Sequence, residues 1–150
     1  MSFSTPASPA PNSRPVRLLL VEDHVALAKA TAEFLRESGI DVEIADSGKS
    51  ALQIVATFRP EVVLCDMCLP DMSGLEVVKA FRAGQGAKNA IVAMLTSMVD
   101  ADLDLLERSA GDYGVNFFLS KPITEQKLDR VLRELAEPEA GRESTPSAAD

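Results

Sequence analysis

Three acids, a threonine and a lysine each follow a short apolar run in this chain. "VRLLLV" leads into Glu22 and Asp23, "VVLC" into Asp66, "AIVAML" into Thr96, and "NFFLS" into Lys121 and Pro122. Carboxylates gathered a few ångströms apart repel, and at least one pKa rises unless a cation joins them. Hard oxygen donors from few side chains, with room for water, suit Mg2+. An ion held in this way can bridge an incoming phosphoryl group. The lysine and threonine can then hold the remaining oxygens, so that catalysis is positioning plus charge neutralisation. The nucleophile for such a site is a carboxylate, because an aspartyl phosphate is a recognised covalent intermediate.

Whether these residues meet depends on the elements that carry them. Apolar runs at 16–21, 42–45, 62–65, 90–95 and 116–120 predict strands. Helical spacing of apolar residues predicts helices over 25–38, 48–58, 74–83, 99–110 and about 124–136. Ser47, Ser73 and Thr124 stand where N-caps are wanted, and Ser38-Gly39 and Arg59-Pro60 where helices stop. Short, continuously apolar strands alternating with helices mean a parallel sheet covered on both faces. Right-handed crossovers leave few topologies. The expected fold is α/β, doubly wound, with five strands in the flavodoxin-like order 2-1-3-4-5 and its site at the carboxyl edge beside strands 1 and 3. In that order strand 3 lies between the acidic pair and Thr96, which makes Asp66 the candidate nucleophile. Strand 2 ends in Ala45-Asp46 on the outside, so Asp46 is left out of the site.

Composition sets bounds on function. The chain has 150 residues, 46% hydrophobic and 25% charged, enough for one domain with a core. Its net charge of −8 argues against direct nucleic-acid binding as its main business. No apolar run is long enough to span a membrane, and the N-terminus lacks the apolar centre of a secretory signal. Two cysteines without an export signal point to a reducing cytoplasm. Residues 1–15 and 137–150 are polar and read as disordered tails around a single folded domain over 16–136.

The stretch from 16 to 136 resembles the receiver domain of two-component response regulators, of the single-domain type. The residues that carry the resemblance are "LLLVED", "VVLCDMCLPDMSGLE", "AMLTS" and "FFLSKPI". It implies that Asp66 is the phosphoacceptor, Asp23 a direct Mg2+ ligand and Glu22 its mostly water-mediated companion. The backbone carbonyl of Cys68 would complete the metal site. Thr96 would be the switch hydroxyl, Lys121 the phosphoryl-binding lysine, and Pro122 the residue whose preceding bond is usually cis. Phe118 falls at the aromatic switch position and would turn inward on phosphorylation. The donor would be a histidine kinase or a histidine phosphotransfer protein, and the readout a downstream protein target, with homodimerisation a possible consequence. Such a domain is not an enzyme beyond assisting its own phosphorylation and dephosphorylation.

The chain departs from that pattern in three places. The stretch from Thr96 to Lys121 is a few residues longer than that pattern, with "ERSAGDYG" (107–114) as the insertion. Phe118 lacks the hydroxyl of the tyrosine often found there. Cys68 and Met98, two residues after Asp66 and Thr96, offer no carboxylate or amide to orient an attacking water, so slow self-dephosphorylation is expected.

Other readings compete. Cys65-x-x-Cys68 has redox spacing, but Cys65 ends a strand instead of opening a helix, so a buried thiol is expected. His24 is the only histidine and reads as a loop residue on the rim of the crevice. A haloacid-dehalogenase-type phosphatase wants a second aspartate where Cys68 stands. An FMN binder needs a hydroxyl-rich phosphate loop where "VEDHVAL" is acidic. The main rival is a non-phosphorylated, receiver-like interaction module, which predicts a missing member of the Asp/Asp/Thr/Lys set; none is missing.

Overall fold

In the computed structural model of the chain, the described residues are 14–84, 86–97, 103, 107, 108 and 110–136. The apolar runs form β1 (Arg17–Val21), β2 (Asp41–Ala45), β3 (Val62–Asp66), β4 (Ile91–Thr96) and β5 (Phe117–Ser120). They pair in parallel as one sheet in the order β2-β1-β3-β4-β5. This is the expected topology. The inner strands β1, β3 and β4 bury side chains of both faces because helices cover both, whereas the edge strand β2 alternates between buried and exposed residues. Leu18, Leu20, Val62 and Leu64 pack against α1 (Val25–Glu37) and α5 (Glu125–Ala136). Leu19, Val21, Val63 and Cys65 pack against α2 (Gly48–Phe58) and α3 (Gly74–Ala83).

Helix ends follow local chemistry. Ser47 and Ser73 each accept from the backbone N–H three residues on, and each sits in a reciprocal capping box. Thr124 Oγ1 accepts from Lys127 N at 3.3 Å and opens α5. Gly39, at φ 87°, lets α1 stop, with its N–H on the carbonyl of Arg36. Asp71 adds a cap no local pattern predicts. Its carboxylate, from the loop after β3, accepts from Gly48 N and Lys49 N at 2.8 Å each.

Two boundaries shift the site by one residue. Asp66 and Thr96 are the last residues of their strands, instead of the first beyond them, because the ladder continues through Asp66↔Leu95 and Thr96↔Ser120. Much of the helix expected over 99–110 lies outside the described residues; within it Leu103, Glu107 and Arg108 are helical. The segment read as an insertion carries a short helix, α4 (Ala110–Tyr113), which ends at Gly114 with φ 75°.

Candidate functional site

Four neighbouring strand tips converge where the strand order reverses. Glu22 follows β1 directly, with its N–H on the carbonyl of Ala45 at 2.9 Å, and is 4% exposed. Asp66, at the tip of β3, is 9% exposed, and Thr96, at the tip of β4, 6%. Lys121 follows β5, anchored by its N–H to the carbonyl of Thr96 at 2.7 Å. The bond between Lys121 and Pro122 is cis.

The charges are arranged around the lysine. Lys121 Nζ lies 3.1 Å from Glu22 Oε1 and 3.3 Å from Asp66 Oδ2. Partial burial pulls its pKa down, but the hydrogen-bonded and nearby carboxylates of Glu22 and Asp66 outweigh this and hold it above the ordinary value. The second oxygens are also engaged. His24 N donates to Glu22 Oε2 at 3.2 Å, and Cys68 N to Asp66 Oδ1 at 3.4 Å. Burying a carboxylate without a partner costs several kcal/mol, so these contacts are what make two enclosed acids tolerable.

Asp23 completes the cluster on the exposed rim. Glu22, Asp23 and Asp66 each offer a carboxylate oxygen, and those atoms all lie within 4.8 Å of one another. One ammonium against three carboxylates leaves net negative charge, and every donor in the cluster is a hard oxygen. That donor set fits a divalent cation such as Mg2+.

The loop after β3 is tied down over the site. Met67 N donates to the carbonyl of Leu95 at 3.1 Å, Gly74 N to that of Met67 at 2.7 Å, and Cys68 pairs with Ser73 as an isolated bridge. Gly74 is required by close approach, since a Cβ there would meet the carbonyl oxygen of Asp66 and the end of Met94.

Glu22, Asp23, Asp66, Thr96 and Lys121 therefore meet at one sheet edge. Cys68 joins them through its backbone N–H. Phe118 sits one row deeper, 0% exposed, already enclosed in the α2/α3 side of the core. Met98 lies outside the described residues. Cys65 is buried; its burial first, then the Asp66 and Glu22 carboxylates, push the thiol far above its ordinary range. Cys65 and Cys68 are both free thiols. His24 is more than a rim residue: its Nδ1 accepts from Leu27 N at 3.1 Å and caps α1. Sequence reasoning missed Arg82, whose guanidinium joins the loops that lead into β4 and β5 at the far end of the sheet, and the tether from Asp71. The turn-forming Pro-Asp after Cys68 was the one signal for the latter.

Residues 18–133 match the family model for the response regulator receiver domain. The DNA-binding response regulator MtrA of Mycolicibacterium smegmatis is 34% identical over 122 residues, covering 81% of this chain and 53% of that protein. The response regulator MprA of Mycolicibacterium vanbaalenii is 33% identical over 122 residues, covering 81% of this chain and 50% of that protein. The chain thus spans about half the length of these curated relatives. Among solved structures, the chemotaxis response regulator CheY4 of Vibrio cholerae aligns with a TM-score of 0.69 at 26% identity, over 81% of this chain and 98% of that one. A CheY-like receiver domain from Methylobacillus flagellatus aligns at 0.68 and 28% identity, over 81% and 98%.

Proposed function

The chain belongs to the response regulator receiver domain family, and on that premise we propose that Asp66 is its phosphoacceptor. The donor is a phosphohistidine on a histidine kinase or a histidine phosphotransfer protein. A carboxylate oxygen of Asp66 attacks phosphorus, the P–N bond to the imidazole breaks, and the bonding pair leaves with the ring nitrogen, which takes a proton. The observation that carries this reading is Lys121, whose ammonium lies within 3.3 Å of Asp66 Oδ2 at the mouth of an acidic cluster. It is placed to offset the charge that a phosphoryl group brings.

Glu22, Asp23 and Asp66, with the backbone carbonyl of Cys68, would hold Mg2+. When bound, the ion supplies neutralisation and orientation of the phosphoryl oxygens. Thr96 supplies a hydroxyl at the adjacent strand tip that bonds a phosphoryl oxygen, and Phe118 lies behind it on β5. The phosphorylated state is favoured by as much as these contacts differ between the two conformations, on the order of a few kcal/mol. Nothing in the Cys68 side chain helps a water to attack, so the aspartyl phosphate is long-lived.

The domain is a signalling module and not a turnover catalyst, acting in the cytoplasm on a downstream protein target, with homodimerisation as one route. Among the described residues no helix is long and apolar enough to cross a membrane. The relatives named as DNA-binding are longer than this chain, and direct nucleic-acid contact is no part of this proposal. The test is incubation with Mg2+ and acetyl phosphate followed by intact mass. A single phosphate adduct, absent from Asp66→Asn, is expected. No adduct on the unmodified chain would favour the non-phosphorylated interaction module.

A further inference from the structure

Phe118 has no hydroxyl to hold its ring, yet it is 0% exposed, and one aromatic neighbour meets it edge-on. The Tyr113 and Phe118 ring centroids lie 6.4 Å apart with planes at 83°. That is an edge-to-face geometry in which aromatic pairs attract beyond their buried area. Tyr113 is 42% exposed, so the pair runs from the core to the surface.

Tyr113 does not ride on a loose segment. Arg82, on α3, donates through Nε to the carbonyl of Gly114, the next residue, at 2.8 Å. The same guanidinium reaches the carbonyl of Ala90 at 2.7 Å and Asn116 Oδ1 at 3.1 Å. Asn116 Oδ1 also accepts from Val92 N at 2.8 Å. The backbone beneath Tyr113 is thereby bound to α3 and to the starts of β4 and β5. A ring presented from so fixed a base restrains whatever it packs against.

We propose that Tyr113 is a positioning residue that latches Phe118 in its enclosed orientation and so biases the domain toward the state that accepts and retains a phosphoryl group. This rests on the phosphoacceptor reading of Asp66. The hydroxyl missing at position 118 is compensated by an edge contact from a residue five positions earlier. The inward aromatic is then largely set before phosphorylation, and the Thr96 side of the site is left to complete the switch.

Two measurements test the latch. The first is the affinity for beryllofluoride in the presence of Mg2+, by calorimetry. Tyr113→Ala should bind roughly 2- to 10-fold more weakly, the size of effect an edge-to-face pair confers. Tyr113→Phe, which keeps the ring, should stay within about 2-fold of the unmodified chain. Should Tyr113→Ala fail to fold, Tyr113→Leu carries the same expectation. Equal binding by the ringless variant, or equal impairment of Tyr113→Phe, overturns the latch alone. An unmodified chain that binds no beryllofluoride overturns the phosphoacceptor reading and the latch with it. The second is near-ultraviolet circular dichroism of the free protein. The chain has one tyrosine and no tryptophan, so the tyrosine band reports Tyr113 alone. It should fall by about half or more in Phe118→Leu if the two rings hold each other; an unchanged band overturns the latch.

Discussion

Lys121 Nζ stands slightly nearer to Glu22 Oε1, at 3.1 Å, than to the proposed phosphoacceptor, at 3.3 Å. Glu22 and Asp66 thus share the one ammonium. The same ammonium also competes with any divalent cation for the cluster's negative charge.

Removing that ammonium should therefore move two properties in opposite directions. Lys121→Ala should bind Mg2+ roughly 3-fold or more tightly, because an opposing positive charge a few ångströms away is gone. Phosphoryl acceptance from acetyl phosphate should drop by roughly 100-fold, the usual cost of losing one donor to a developing anionic centre. Calorimetry reads the first effect and the rate of adduct formation by intact mass the second. A variant that weakens both would mean that Lys121 organises the cluster instead of counterbalancing it.

Gly74 offers a test in which two principles give opposite signs. Alanine in place of a glycine in a helix interior ordinarily stabilises, by about 1 kcal/mol, and Gly74 stands in the first turn of α3. Here a Cβ would meet the carbonyl oxygen of Asp66 and the methyl end of Met94. Gly74→Ala should therefore destabilise by about 1–3 kcal/mol, as overpacking does, and should slow acceptance at Asp66 by moving its backbone. Urea unfolding and the acetyl phosphate assay check the two halves; a more stable variant would show that the β3–α3 connection yields easily.

The strand tips were legible because each bears on a short-range pattern. A run such as "VVLC" cannot stop in the open, and an acid at its end must lie at the sheet's carboxyl edge. Handedness then leaves few strand orders, and the common one for five such units brings Glu22, Asp66 and Lys121 together. Asp71 and Tyr113 were not legible in this way. Asp71 caps a helix 22 and 23 residues earlier, and nothing local marks a partner so distant. Tyr113 lies in a stretch whose extra length resembled a loop insertion, and its ring meets Phe118 across the turn at Gly114.

Asp71 gives the fold a predictable pH dependence. The N–H groups of Gly48, then Lys49, hold its carboxylate below the ordinary aspartate value of 3.8. The unfolded chain binds the proton more readily, so the contribution is fully present above about pH 4 and fades as pH falls through the lower folded value. Asp71→Asn keeps an acceptor but loses the charge. It should be less stable at neutral pH and show a shallower loss of stability on acidification below about pH 4. Thermal unfolding of both proteins across that range measures this; parallel curves would mean the charge contributes nothing.

Arg82 is the remaining long-range tie, and its geometry asks for a fork. Its Nε serves Gly114, one terminal nitrogen serves Lys88 and Ala90, and the other serves Asn116. Burial alone lowers its pKa, since its partners are backbone carbonyls and one amide oxygen, none of them a carboxylate. Lysine at this position keeps the charge but cannot spread donors over three directions. Arg82→Lys should cost about 2 kcal/mol, through carbonyls left without a donor. The cost should come with faster amide exchange at Val92 and Asn116, whose pairing begins next to the guanidinium, than at Leu18 on β1, which does not pair with β4. Uniformly faster exchange would instead place Arg82 in the global stability of the domain, with no special hold on the base of β4 and β5.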